Sequence, residues 1–91
     1  MMFTYPAVFR KLENGSYEGY FPDLDGCVFG GADLDEAINS AIEEERAWIT
    51  VELEEEQVLP FISDREDIVL AENEHLRNIA VIVRLMDGFD E

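Results

Sequence analysis

Between Leu34 and Leu53 apolar residues recur at intervals of three and four: Leu34, Ala37, Ile38, Ala41, Ile42, Trp48, Ile49 and Leu53, with Glu45 on the same stripe. That spacing matches the 3.6-residue helical period and predicts one amphipathic helix of about 20 residues. Asp33 supplies an N-cap, Glu36 follows three residues later, and the acids of the first turn sit at the positive end of the helix dipole. Asp35, Glu36, Asn39, Ser40, Glu43, Glu44 and Glu54 face outward. A helix with one apolar stripe needs a second layer to cover it, and in a chain of 91 residues the flanking segments must supply that layer.

Those segments read as strands. Phe3 to Leu12 and Ser16 to Phe21 carry aromatic and β-branched residues, and Glu13-Asn14-Gly15 lies between them. Asn-Gly between two such runs predicts an antiparallel hairpin closed by a type I′ turn, in which both residues accept positive φ. Pro6 lacks a ladder donor, which points to an edge position or a donor facing solvent. Pro22-Asp23-Leu24-Asp25-Gly26 reads as a turn, and Cys27 to Gly30 or Gly31 as a third strand whose glycine pair permits close backbone approach. After the helix, Leu59-Pro60 is a break, and Ser63-Asp64-Arg65-Glu66 resembles a second capped start, so a short helix from Asp64 to about Ala71 is expected. Ile79 to Met86 is a continuous apolar run suited to a buried strand, and residues 87–91 should fray. The order is β-β-β-α-β, an α+β fold with one long helix packed on an antiparallel sheet, forming a single domain over residues 1–91.

Charge narrows the function. There are 22 acidic and 6 basic residues, a formal net charge of -16. Nucleic-acid binding draws most of its affinity from Lys and Arg on phosphates, so direct DNA or RNA binding is disfavoured. The same field keeps the protein soluble and speeds its encounter with a positively charged protein. Cys27 is the lone cysteine, no basic-then-apolar leader opens the chain, and no apolar run approaches the roughly 20 residues of a membrane span; a reducing cytoplasm fits.

Catalytic sets are scarce. His75 is the only histidine, so a Ser-His-Asp constellation or a histidine metal cage lacks parts, and it reads as a surface or loop residue. Cys27 has no charged neighbour in its strand to lower its pKa and reads as a packing group. Asp23 and Asp25 flank a turn, but their spacing falls short of a calcium loop and reads as turn chemistry. Glu43, Glu44, Glu45, Glu52 and the acids at 54–56 read as a solvated helix face. Gly30-Gly31 has neither the lysine of a phosphate loop nor the three-glycine dinucleotide pattern. No enzyme activity, metal or cofactor is expected.

A set of residues in order carries a family resemblance: Tyr5-Pro6-Ala7-Val8-Phe9, Gly15 with Tyr17, Tyr20-Phe21-Pro22-Asp23-Leu24-Asp25-Gly26-Cys27, then Gly31 with Leu34-Asp35-Glu36-Ala37. Together they resemble the HicB-type antitoxins, over about residues 3–50 by motif and 51–86 by topology. The resemblance implies a degenerate ribonuclease H-like domain without catalytic acids, which occludes a small basic ribonuclease toxin of the HicA type. It also implies a homodimer or higher homo-oligomer, for which an open sheet edge gives a physical reason. Two positions depart from the family: Asp25 stands where proline is usual, and Asp33 where threonine is usual. Many family members continue into a C-terminal DNA-binding domain, whereas this sequence stops five residues after Met86.

Two function classes follow besides catalysis: a toxin-neutralising binding module, and a homo-oligomeric regulatory module without a toxin. For the first, the expected partner-binding residues are Tyr20, Asp23 and Asp25 at the turn, with Glu43 and Glu44 on the helix. A divergent metal-dependent nuclease would need several convergent acids that the strands do not supply.

Overall fold

In the computed structural model, which describes residues 1–55 and 57–84, the chain runs β1 (Met2–Lys11), β2 (Tyr17–Tyr20), β3 (Val28–Gly31), α1 (Leu34–Glu54), a 3-10 turn (Arg65–Asp67) and β4 (Glu74–Ile82). The strands form one antiparallel sheet in the order β3-β2-β1-β4, and α1 covers one face. The α+β, β-β-β-α-β reading is therefore correct.

Alternation along β1 sorts its side chains between the faces. Tyr5, Ala7 and Phe9 join Phe29, Ile79 and Val81 beneath Ala37, Ala41 and Ile49 of α1, and together they form the core. Phe9 lies at its centre, fully buried, with its ring 4.7 Å from that of Phe29. Asp33 caps α1 as expected, its Oδ1 accepting from the Glu36 N–H at 2.9 Å, while the Glu36 carboxylate accepts from the Ala32 N–H. The helix can sit this close because Gly31 has no side chain: a Cβ there would lie 2.4 Å from the Ala37 nitrogen.

The hairpin forms, but its turn differs from the expected one. The Gly15 N–H donates to Leu12 O and the Leu12 N–H to Ser16 O, so Glu13 and Asn14 are the central residues and only then does Gly15 take φ 90°. This is the three-residue loop with a glycine bulge. Asn14 instead uses its side chain, accepting from the Ser16 N–H and hydroxyl. Pro6 lies where β1 is paired with β4 but beyond the β2 ladder, which begins at Val8, so its missing donor breaks no β2 pairing.

Three expectations need correction. β4 begins at Glu74, five residues before the apolar run, because β1 is long enough to pair with polar Glu74, His75, Arg77 and Asn78. The ladder closes at Met2↔Ile82, and Val83 still donates to Met1 O; Leu85, Met86 and residues 87–91 lie outside the described residues. The expected helix from Asp64 is only the turn Arg65–Asp67: it buries no residue, and Val69 beyond it is exposed, so no packing would stabilise more turns. Finally, Glu45 does not belong to a solvated face. Its position on the apolar stripe prevails over its chemistry, and it is fully buried with neither carboxylate oxygen hydrogen-bonded.

Candidate partner-binding surface

The loop between β2 and β3 is a rigid platform. The Phe21 N–H donates to Cys27 O, Leu24 to Phe21 O and Cys27 to Leu24 O, while Gly26 takes φ 76°. Leu24 plugs the loop into the core, and the Trp48 indole N–H donates to Asp25 O at 2.9 Å, tying the loop to α1. Between loop and helix runs a cleft of about 310 Å³, lined by Gly26, Cys27, Glu44, Trp48, Val51 and Glu52.

A second segment is pinned to the same platform. The Asp23 carboxylate accepts from the Ser63 N–H at 2.8 Å and from the Ser63 hydroxyl, and the Tyr5 hydroxyl donates to Pro60 O at 2.6 Å. The strap of residues 59–63 is thereby tied to β1 and to the loop, while Val58 and Phe61 point into solvent, 92% and 96% exposed. Sequence reasoning passed over Phe61 because it lies in no periodic pattern. An aromatic next to a proline in an aperiodic stretch was the available signal.

The five expected partner-binding residues do not form one patch. Asp23 and Asp25 share the loop, and Glu44 lines the adjoining cleft. Glu43 is exposed on the outward side of α1. Tyr20 pairs with Val8 and Val28, residues on the sheet face that α1 does not cover. Asp23 is engaged internally by Ser63, whereas Asp25 and Glu44 are free to meet a partner.

The chemistry here is not that of a nucleophile. Burial, with help from Glu44 and Glu45, pushes the Cys27 thiol up to about 11, so it is protonated at neutral pH. Burial and the nearby Arg77 hold the His75 pKa below its usual value, and its ring stacks 5.3 Å from that of Phe9. Burial raises the Tyr5 phenol, with Asp23 and Glu45 adding to the effect, so it remains a donor. Burial also pushes Glu45 up to about 8, leaving it neutral in the core. Among the described residues no three His, Cys, Asp or Glu converge to hold a metal, and no helix is long and apolar enough to cross a membrane.

The chain is thus a small α+β domain: a four-stranded antiparallel sheet with one covering helix and an acidic loop-and-helix rim. Solved structures from toxin-antitoxin systems share this fold. A chain of a toxin-antitoxin complex from Streptococcus pneumoniae superposes with a TM-score of 0.82 at 19% identity, over 100% of this chain and 79% of that one. A chain of the HicA3 and HicB3 toxin-antitoxin complex gives 0.64 at 27% identity, over 91% and 100%. The N-terminal domain of the Burkholderia pseudomallei antitoxin HicB gives 0.72 at 20% identity, over 85% and 95%. No curated protein matches the sequence. The model of the HicB-like antitoxins of bacterial toxin-antitoxin systems matches residues 5–87, and the chain belongs to that family.

Proposed function

We propose that the protein is a non-catalytic antitoxin that binds and occludes a small basic mRNA-cleaving toxin of the HicA type in the cytoplasm. The observation that carries this reading is the acidic rim on a rigid loop, in a chain of net charge -16 that belongs to an antitoxin family. Glu44 lines the cleft beside Trp48, Asp25 is exposed on the adjoining loop, and Glu43 extends the negative field along α1. Tyr20 lies at the strand end that leads into the loop, and Asp23 holds the strap that presents Phe61. An RNA-gripping toxin must carry a cationic surface, and these carboxylates complement it.

The test is binding to the product of a small basic reading frame beside the gene, measured by calorimetry over a salt series. Affinity should fall as salt rises, and the pair Asp25→Asn with Glu44→Gln should weaken binding by about tenfold, on the order of 1.4 kcal/mol. Absence of binding to any such toxin, or Mg2+-dependent RNA cleavage by the pure protein, would overturn the reading.

A further inference from the structure

The segment between α1 and β4 carries apolar side chains that the fold does not use. Among the described residues the three most exposed large apolar side chains are Phe61, Val58 and Val69, and all three lie in this segment. Leu59, by contrast, packs against the core. The strap is nonetheless held: the Tyr5 hydroxyl donates to Pro60 O, and the Asp23 carboxylate accepts from the Ser63 N–H and hydroxyl. Fixing a stretch of chain costs conformational entropy, and Phe61, left in water, returns no burial to offset it. Both tethers grip main-chain groups and the Ser63 hydroxyl, so the Phe61 ring between them takes no part in holding the strap. An aromatic ring presented on pinned backbone is preorganised for a contact outside the chain.

Charge selects the occupant. Glu54 and Glu55 precede the strap and Asp64, Glu66 and Asp67 follow it, all exposed, with Arg65 the one cation among them. A second copy would set these acids against their like, and a nucleic acid would bring phosphates against them. A protein surface with an apolar recess and a basic rim suits both the ring and the carboxylates. We infer that the strap is an apolar anchor for the cationic toxin, with Phe61 filling a recess on that protein and the bracketing acids pairing with the basic groups around it.

The inference rests on the antitoxin reading and adds to it a contact that is not electrostatic. Buried aromatic anchors carry a large share of the energy of an interface, whereas exposed charges act mainly on encounter and respond to salt. The Asp23–Ser63 hydrogen bonds join strap and acidic loop, so one partner meets both as a single surface.

The experiment is calorimetry of the full chain against the product of the small basic reading frame beside the gene, at low salt and at about 0.5 M salt, where exposed charges are screened. Phe61→Ser should raise Kd about tenfold or more, by the same factor at both salt concentrations. The loss caused by Asp25→Asn with Glu44→Gln should instead shrink at high salt. Phe61 is almost wholly exposed, so the thermal unfolding of Phe61→Ser should match that of the parent. Ser63→Ala, which loosens one tether and leaves the ring in place, should weaken binding by a smaller factor. If Phe61→Ser binds as tightly as the parent, the inference falls and the antitoxin reading stands; if the parent binds no such toxin, both fall. Sedimentation velocity of the chain alone checks the other occupant: parent and Phe61→Ser should sediment alike, and a parent oligomer that the variant loses would assign the strap to a second copy and overturn the inference.

Discussion

The two faces of the sheet treat charge in opposite ways. Among the described residues a single carboxylate, Glu45, sits fully buried under α1 with no hydrogen-bond partner. On the open face three charged groups, Arg10, Glu18 and Glu74, satisfy one another across three strands. Hydrogen bonds from the Ala71 N–H and Arg10 hold the Glu74 pKa below its usual value, while burial drives Glu45 the other way. The same residue type is thus a neutral acid on one face and a paired anion on the other. What separates them is access to a donor.

The largest expected effect is at Glu45. Its folded pKa of about 8 lies above the unfolded value of 4.5, so folding takes up a proton wherever the unfolded chain has lost one. The stability associated with this group is intact below about pH 4.5, declines as pH rises, and is fully lost above about 8. Glu45→Leu should therefore stabilise the fold by about 3 kcal/mol at pH 7. Urea denaturation at several pH values checks it: the gap between variant and parent should widen from pH 5 to pH 8, and a constant gap would show that Glu45 does not titrate in this range.

An intermediate effect compares packing on the two faces. A Cβ at Gly19 would lie 2.3 Å from Val8 O and 2.4 Å from the Phe29 ring, whereas one at Gly30 would meet Tyr17 O at 3.1 Å. Gly19→Ala should cost about 2 kcal/mol, as overpacked sites do, and Gly30→Ala less than about 1 kcal/mol in thermal or chemical denaturation. Equal costs would contradict the contrast between a filled face and an open one. The smallest effect is Arg10→Gln. The guanidinium is 43% exposed, so chemical denaturation should shift little, while an NMR titration should show the Glu74 pKa raised as that carboxylate loses one of its donors.

Much of the architecture was legible because local signals and burial agreed. The stripe from Leu34 to Leu53, the Asp33 cap and the Asn14-Gly15 hairpin each depend on neighbours within a few residues. The start of β4 was not legible, since residues 74–78 are mostly polar and are strand only because β1 pairs with them. Glu45 was legible by position and misleading by type. At the candidate surface the loop 22–26 could be found from its turn chemistry. The role of Asp23 could not, because its partner Ser63 lies 40 residues away. The same holds for Arg10, whose two carboxylates come from strands on either side of it.

The pairing of β1 with β4 joins residues 2–10 to residues 74–82. During synthesis β1 therefore has its hairpin partner early but stays open along its other side until residues 74–82 have been made. At roughly 5–20 residues per second, that leaves an unzipped apolar ribbon outside the ribosome for several seconds. A nascent chain in that interval exposes Tyr5, the future partner of Ile79, and the rest of the unpaired β1 edge to water, so chaperones and proteases can act on it before residues 74–82 are translated.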